Sequence, residues 1–88
     1  MPFRTVNRRL AQYRAALARG DIVTLCSAVE DRDWIDDLVI SADERQTIIV
    51  LLNELVELCL QPDPDTVAGM RAVDKARIYW SEPHPYRP

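Results

Sequence analysis

The apolar positions of the first twenty residues follow a helical period. Four apolar residues, spaced by three or four positions, share one face: Val6, Leu10, Tyr13 and Leu17. Thr5 is suited to cap this helix at its start, because its hydroxyl can accept from a free backbone N–H. Gly20 is suited to end it and Asp21 to open the next one. The pattern therefore predicts a first helix over residues 5–19.

The second apolar stretch predicts a helix over residues 21–29, with a short strand over residues 22–26 as the alternative. The helix would direct four residues inward: Ile22, Leu25, Cys26 and Val29. If the same helix continued through the next eight residues, EDRDWIDD at 30–37, it would turn three aspartates towards the core. Burying three carboxylates without partners is too costly to be stable. We therefore expect the helix to break near residues 30–33.

A third, separate helix over residues 33–40 would avoid burying these aspartates. It would direct Trp34, Ile35, Leu38 and Val39 inward. It would leave Asp33, Asp36 and Asp37 facing solvent. Acidic residues in a first helical turn also suit the positive end of the helix dipole.

The strongest helical pattern follows, over residues 42–60. Ser41 and Glu44 have the spacing of a capping box, in which each side chain binds the other residue's backbone N–H. Between Ile48 and Leu60 the polar residues share one narrow stripe: Asn53, Glu54 and Glu57. A helix that is apolar over most of its girth, here about 45–60, belongs at the centre of a bundle or under a second copy of the chain.

A last helix is predicted over residues 65–80, after a linker in which Asp63 would act as N-cap and Pro64 as first helical residue. Its apolar residues are Val67, Met70, Val73, Ala76 and Trp80. Gly69 is expected to weaken this helix. The proline-spaced residues 81–88 are expected to be extended.

These elements predict an all-α fold, a compact four- to five-helix bundle that forms one domain over residues 1–80. The composition agrees with this prediction. The chain has 88 residues, of which 48% are hydrophobic, and only two glycines. All six prolines lie in the ends or in the linker at residues 62–64, so they interrupt no predicted helix.

The charge is distributed unevenly along the chain, although the net charge is only −3. Residues 1–19 carry five arginines and no acid, whereas residues 20–65 carry twelve acids and two arginines. Such an asymmetry bears on association with partners and not on the fold.

The residues that carry most enzyme chemistry are scarce. The only histidine, His84, lies between two prolines, and neither Cys26 nor Cys59 has a histidine nearby in sequence. The two cysteines lie in apolar runs and are expected to be buried, reduced thiols. We therefore expect no enzyme, no catalytic residue and no cofactor.

The acidic segment also lacks the pattern of a metal site. Read as a calcium loop from Asp31, it has Ile35 at an oxygen-ligand position, Asp36 at the glycine position and Ala42 at the glutamate position. A magnesium site at Asp33 and Asp37 stays geometrically open, but no phosphate-binding residues lie near it. We expect no bound metal.

No stretch resembles a signal peptide, and the longest apolar run, IIVLL, is too short to span a bilayer. We therefore expect a cytoplasmic protein without membrane contact.

Protein–protein interaction is the function that these observations favour. An acidic surface can attract a basic partner, and tryptophan ringed by polar groups is typical of binding hot spots. The predicted partner-binding residues are Glu30, Asp33, Trp34, Asp36 and Asp37. The alternative for Trp34 is an ordinary core residue, and the apolar fourth helix raises the possibility of a homodimer. In size, acidity and lack of catalytic motifs the chain resembles small phage-encoded inhibitors, including anti-CRISPR proteins, although no motif carries this resemblance.

Nucleic-acid binding is the alternative function. Arginines on the first helix could contact phosphates: Arg4, Arg8, Arg9 and Arg19. The helices that follow are apolar or acidic and would be repelled by a phosphate backbone. We therefore expect a protein partner with a basic surface and consider nucleic acid the weaker possibility.

Overall fold

The computed structural model describes residues 2–81, and these form helices without any strand. The helices are α1 (Pro2–Arg19), α2 (Ile22–Glu30), α3 (Asp33–Asp36), α4 (Ala42–Cys59) and α5 (Thr66–Ser81). The prediction of an all-α bundle is confirmed. The proline-spaced tail, with His84, lies outside the described residues except for Ser81, which ends α5.

The first helix begins earlier than the sequence pattern predicted. It starts at Pro2, so Thr5 lies within the helix and the prediction that Thr5 caps it was wrong. A proline fits the first turn of a helix because the N–H that it lacks would have no partner there. The apolar face is confirmed, since Val6, Leu10, Tyr13 and Leu17 are all buried.

The turn between α1 and α2 has the chemistry that the sequence predicted. Gly20 adopts a φ of 66°, in the left-handed region that favours glycine. The Gly20 N–H donates to the Leu17 carbonyl oxygen at 3.0 Å and the Asp21 N–H donates to that of Ala16 at 2.9 Å. These two bonds close α1 as a Schellman motif. Asp21 then caps α2 by accepting from the Thr24 backbone N–H at 3.1 Å, and the strand alternative for residues 22–26 is not formed.

The helix does break after Glu30, and α3 begins at Asp33 as predicted. It is shorter than predicted, because it ends at Asp36 and not near residue 40. The next residues are not helical, so their side chains alternate: Leu38 and Ile40 are half-buried, and Val39 between them is 91% exposed. The prediction that Val39 points inward was therefore wrong.

The first turns of α4 and α5 show one confirmed prediction and one correction. The capping box at the start of α4 is present, with Ser41 Oγ accepting from the Glu44 N–H at 3.1 Å and Glu44 accepting from the Ser41 N–H. At the start of α5 the cap is Asp65, whose carboxylate accepts from the Ala68 N–H at 3.0 Å. The prediction of Asp63 as N-cap was wrong because α5 begins at Thr66, two residues later than that cap implies.

The four long helices pack as a ring in the order α1, α2, α4, α5, and each contacts its two neighbours. Hydrogen bonds from Asn7 to the Trp80 carbonyl and from Arg14 to Asp74 show that α1 and α5 are antiparallel. The short turn at Gly20 makes α1 and α2 antiparallel as well. The apolar helix predicted at about 45–60 is α4, which packs on α2 and α5 while α1 packs on the same two helices.

The core lies inside this ring and is contributed by all five helices. Its buried residues are Val6, Leu10, Tyr13, Ala16, Leu17, Leu25, Val29, Trp34, Ile35, Ile48, Leu51, Leu52, Leu55, Val73 and Trp80. Gly69 is also buried where α1, α4 and α5 meet, and a Cβ atom there would lie 2.8 Å from methyl groups of both Leu17 and Leu58. The glycine therefore allows the close approach of α5 in addition to weakening it as a helix.

Candidate functional site

Four carboxylates form an exposed acidic face at the junction of α2 and α3, which we define as Glu30, Asp33, Asp36 and Asp37. Asp36 lies 3.4 Å from a guanidinium nitrogen of Arg45, yet its side chain stays 81% exposed. Within residues 2–81 the other three have no ion pair or side-chain hydrogen bond. The structure thus exposes the four acids that the sequence predicted as partner-binding residues, which lie within eight positions of the chain.

Trp34 has a different position from these acids. The residue is 7% exposed and belongs to the core, together with the adjacent Ile35. The indole N–H donates to the Asp31 carbonyl oxygen at 2.8 Å. Trp34 is therefore not part of the exposed surface, and its role is to hold the segment that carries the acidic face.

Arg9 of α1 reinforces this attachment. Its guanidinium carbon lies 5.5 Å from the centre of the Trp34 ring, within the range of a cation–π contact. One of its nitrogens lies 3.1 Å from the Asp31 carboxylate. Arg9, Asp31 and Trp34 thus form a cluster that joins α1 to the loop between α2 and α3, and Asp31 has an ion-pair partner whereas the adjacent Glu30 and the nearby Asp33 have none within residues 2–81.

The sequence interpretation missed this cluster because it assigned Arg9 to a basic, phosphate-binding face. The signal was available in the helical spacing. Arg9 follows Val6 by three residues and precedes Tyr13 by four, so it lies beside the inward face of α1. Its partner Asp31 is 22 residues away, and no local pattern identifies such a pair.

A buried hydroxyl lies behind the cluster. Tyr13 is fully buried, and its hydroxyl oxygen has no hydrogen-bond partner of good geometry among the described residues. The neighbouring Trp34 N–H is directed to Asp31 instead. Burial raises the pKa of Tyr13 to about 12, and the nearby Arg9 guanidinium opposes this shift only in part.

The basic face predicted on α1 is smaller than the sequence suggested. Arg4 and Arg8 are exposed, one turn apart. Arg14 lies 3.0 Å from Asp74, and Arg19 lies 4.0 Å from Asp21. Together with the engagement of Arg9, these ion pairs neutralise much of the N-terminal positive charge within the chain itself.

A shallow groove runs between α4 and α5 on another side of the bundle. Its wider part has a volume of about 620 Å³ and is lined by apolar residues of both helices together with Gln46, Thr47, Glu54 and Lys75. Three of the apolar residues are notably exposed, namely Val50, Ile78 and Tyr79. The narrower part has a volume of about 330 Å³, and Glu54, Glu57 and Asp65 lie at its edge.

Other kinds of site find little support in the part of the chain that the structure describes. Residues 2–81 contain no group of three or more histidine, cysteine or acidic side chains that could hold a metal ion. None of their helices combines the length and the hydrophobicity needed to cross a membrane. The two cysteines are free and half-buried.

Comparison with known proteins adds no assignment, because no family model, curated protein or solved structure matches the chain.

Proposed function

We propose that this protein is a non-enzymatic interaction module that presents its acidic face to a partner protein with a basic surface, as an adaptor or as an inhibitor of a larger assembly. One observation supports this most directly. Three carboxylates, Glu30, Asp33 and Asp37, are exposed and unpaired within residues 2–81, on a segment that Trp34 and Ile35 anchor in the core. The segment that carries these charges is therefore held in place before a partner arrives.

This arrangement suits electrostatic recognition. Exposed charges attract an oppositely charged partner over distances of about a Debye length, and they act mainly on the rate of association. A short segment anchored by two core residues loses little conformational freedom on binding, which favours affinity. The binding should accordingly weaken as the salt concentration rises.

Charge reversal combined with co-purification from the source cells tests this proposal. The variant Asp33→Lys, Asp36→Lys, Asp37→Lys should lose a partner that the unaltered protein retains and that mass spectrometry identifies. The matched control is Asp43→Lys, Glu57→Lys, Asp63→Lys, which changes the net charge equally at exposed positions outside the acidic face and outside the wider part of the groove. The control should keep the partner, and circular dichroism should show the same helix content in both variants.

If the first variant retains the partner as well as the control does, the acidic face is not the binding surface. If both variants lose it, the partner responds to net charge and not to this face, and the proposal is likewise refuted. A partner without a basic surface would refute the assigned partner chemistry.

Self-association is a second part of the proposal, and the groove between α4 and α5 supports it. Val50, Ile78 and Tyr79 expose apolar surface there. A second copy that covers this surface would remove it from water. Sedimentation at micromolar concentration should show a dimer that Ile78→Lys dissociates, and a strict monomer would refute this part alone.

Nucleic-acid binding through α1 is supported less well. Arg4 and Arg8 remain available, but Arg9 and Arg14 are engaged by Asp31 and Asp74. Binding through two or three arginines would give a shallow dependence on salt. Retention of the folded protein on DNA or RNA at low salt, lost in Arg4→Ala, Arg8→Ala, would favour this alternative.

A further inference from the structure

The two cysteines of the chain, 33 positions apart in sequence, are neighbours in the fold. Cys26 lies in the middle of α2 and Cys59 is the last residue of α4, and these two helices pack on each other. The Cys26 thiol lies within interaction range of the Cys59 thiol and, after burial, contributes to raising the pKa of Cys59. Both side chains are half-buried, so they are accessible to small reagents.

A second contact between the same parts of the chain fits this proximity of the cysteines. The Arg32 guanidinium donates to the Asn53 side-chain oxygen at 3.0 Å. Six residues before Arg32 is Cys26, and six residues after Asn53 is Cys59. The two steps run in opposite directions along the chain, so both contacts fit one antiparallel packing of α2 on α4.

We propose that Cys26 and Cys59 form a reversible intramolecular disulfide that links α2 to α4. The oxidant class is a low-molecular-weight disulfide, such as oxidised glutathione, that reacts by thiol–disulfide exchange. This inference does not depend on the proposed binding function. It assigns to the two cysteines a modification that their sequence positions alone did not suggest.

The exchange proceeds in two steps. The Cys26 thiolate attacks one sulfur of oxidised glutathione, forming a mixed disulfide and releasing one glutathione thiolate, which takes up a proton. Cys59 then loses its proton, and its sulfur attacks the Cys26 sulfur, so that a protein disulfide forms and the second glutathione leaves. In total two protein thiols are oxidised and one glutathione disulfide is reduced to two thiols.

Cys26 is assigned as the first nucleophile because of the surroundings of Cys59. Burial, the Cys26 thiol and, to a lesser extent, Glu30 raise the pKa of Cys59 to about 12, which keeps this thiol protonated at neutral pH. Only a thiolate attacks a disulfide at a useful rate. Cys59 therefore acts second, on the mixed disulfide that has formed on the neighbouring Cys26.

The disulfide would act on the part of the molecule that carries the acidic face. It closes a loop from residue 26 to residue 59, which contains Glu30, Asp33, Asp36 and Asp37. It also fastens α2, the shortest of the four helices in the ring, to α4. Oxidation is thus expected to restrict α2 and the segment that follows it.

Titration of the purified protein with mixtures of oxidised and reduced glutathione tests the proposal. Mass spectrometry should show a monomer lighter by about 2 Da, which corresponds to the loss of two hydrogen atoms. Trypsin should release residues 20–32 and 46–71 as one linked species, because each peptide contains one cysteine. The thermal midpoint should rise by about 10 °C or more relative to the reduced protein.

Two variants complete the test. Cys59→Ser should accumulate the glutathione adduct on Cys26, whereas Cys26→Ser should react slowly, and neither should show the rise in thermal midpoint. Circular dichroism of the reduced variants checks that both are folded. The proposal is overturned if excess oxidised glutathione leaves the unaltered protein in the dithiol form, or yields only stable adducts or disulfide-linked dimers. Adduct formation on Cys59 ahead of Cys26 would overturn the assigned order.

Discussion

Trp34 is attached to the rest of the molecule by three kinds of contact of unequal strength. Replacing a buried tryptophan by alanine costs about 3–5 kcal/mol in comparable cores. The hydrogen bond of its indole N–H to the Asp31 carbonyl contributes about 1 kcal/mol. The cation–π contact with the partly exposed Arg9 contributes about 0.5–1 kcal/mol. Packing is therefore the main contribution of this residue.

We predict that Trp34→Ala lowers the free energy of unfolding by about 3–5 kcal/mol, and that Trp34→Phe lowers it by less because most of the packing is kept. Urea denaturation followed by circular dichroism measures both. Val39→Ala is the matched control, since this exposed side chain is close in sequence and should change the stability by no more than about 0.5 kcal/mol. A small effect of Trp34→Ala, comparable to that of the control, would contradict the assignment of Trp34 to the core.

At the level of elements, the features that the sequence could predict are those made by nearby residues. The Ser41–Glu44 capping box and the Gly20 turn each involve hydrogen bonds within a few positions of the chain. The early end of α3 is not determined locally. The residues after it become extended so that Leu38 and Ile40 can pack against the core while Val39 cannot.

At the candidate site, too, features made by nearby residues could be predicted and contacts between distant residues could not. The prediction that the helix breaks before Asp33 and exposes the aspartates was correct, because burying unpaired carboxylates costs a large amount of free energy. The partners of Arg9 and Cys59 could not be predicted, since the contacts with Asp31 and Cys26 join residues far apart in sequence. Such pairs depend on how whole helices are arranged around the ring, which the hydrophobic period does not specify.

The contribution of the capping box of α4 to stability can be tested directly. We predict that Ser41→Ala lowers the free energy of unfolding by about 1 kcal/mol, because the Glu44 N–H loses its acceptor at 3.1 Å. Ser27→Ala is the control, since Ser27 is an exposed residue inside α2, where alanine is the better helix former. Guanidinium denaturation should show a loss for the first variant and none for the second. Equal stabilities would mean that the cap does not contribute.

For the molecule as a whole, ion pairs make the surface of α1 less positive than its sequence suggests. Arg9, Arg14 and Arg19 of α1 lie close to Asp31, Asp74 and Asp21. These pairs are partly exposed, so each adds at most about 1 kcal/mol to stability. Their larger effect is on the surface, because they neutralise much of the positive charge of α1, whereas Glu30, Asp33 and Asp37 of the acidic face have no ion pair within residues 2–81. This supports a basic partner over a nucleic acid.

The stability of the whole molecule should also depend on alkaline pH, through Tyr13. Its pKa is raised from 10.0 to about 12 in the folded protein, so the unfolded chain loses this proton first as the pH increases. The contribution is fully present below pH 10 and is lost as the pH rises towards about 12, by at most about 1.4 kcal/mol per pH unit. Cys59, with a pKa raised from 9.0 to about 12, should add a loss in the same direction that begins near pH 9.

Tyr13→Phe separates the two effects, because it removes the titrating hydroxyl and retains the buried ring. At neutral pH we predict that this variant is no less stable than the unaltered protein, since the hydroxyl has no hydrogen-bond partner of good geometry among the described residues. Between pH 10 and 12 its free energy of unfolding should fall less steeply, as measured by denaturant midpoints at each pH. Cys59→Ser should instead flatten the part of the curve that begins near pH 9. Parallel curves for Tyr13→Phe and the unaltered protein would show that Tyr13 ionises in the folded state as readily as in the unfolded chain, and hence that its hydroxyl is not held in the core.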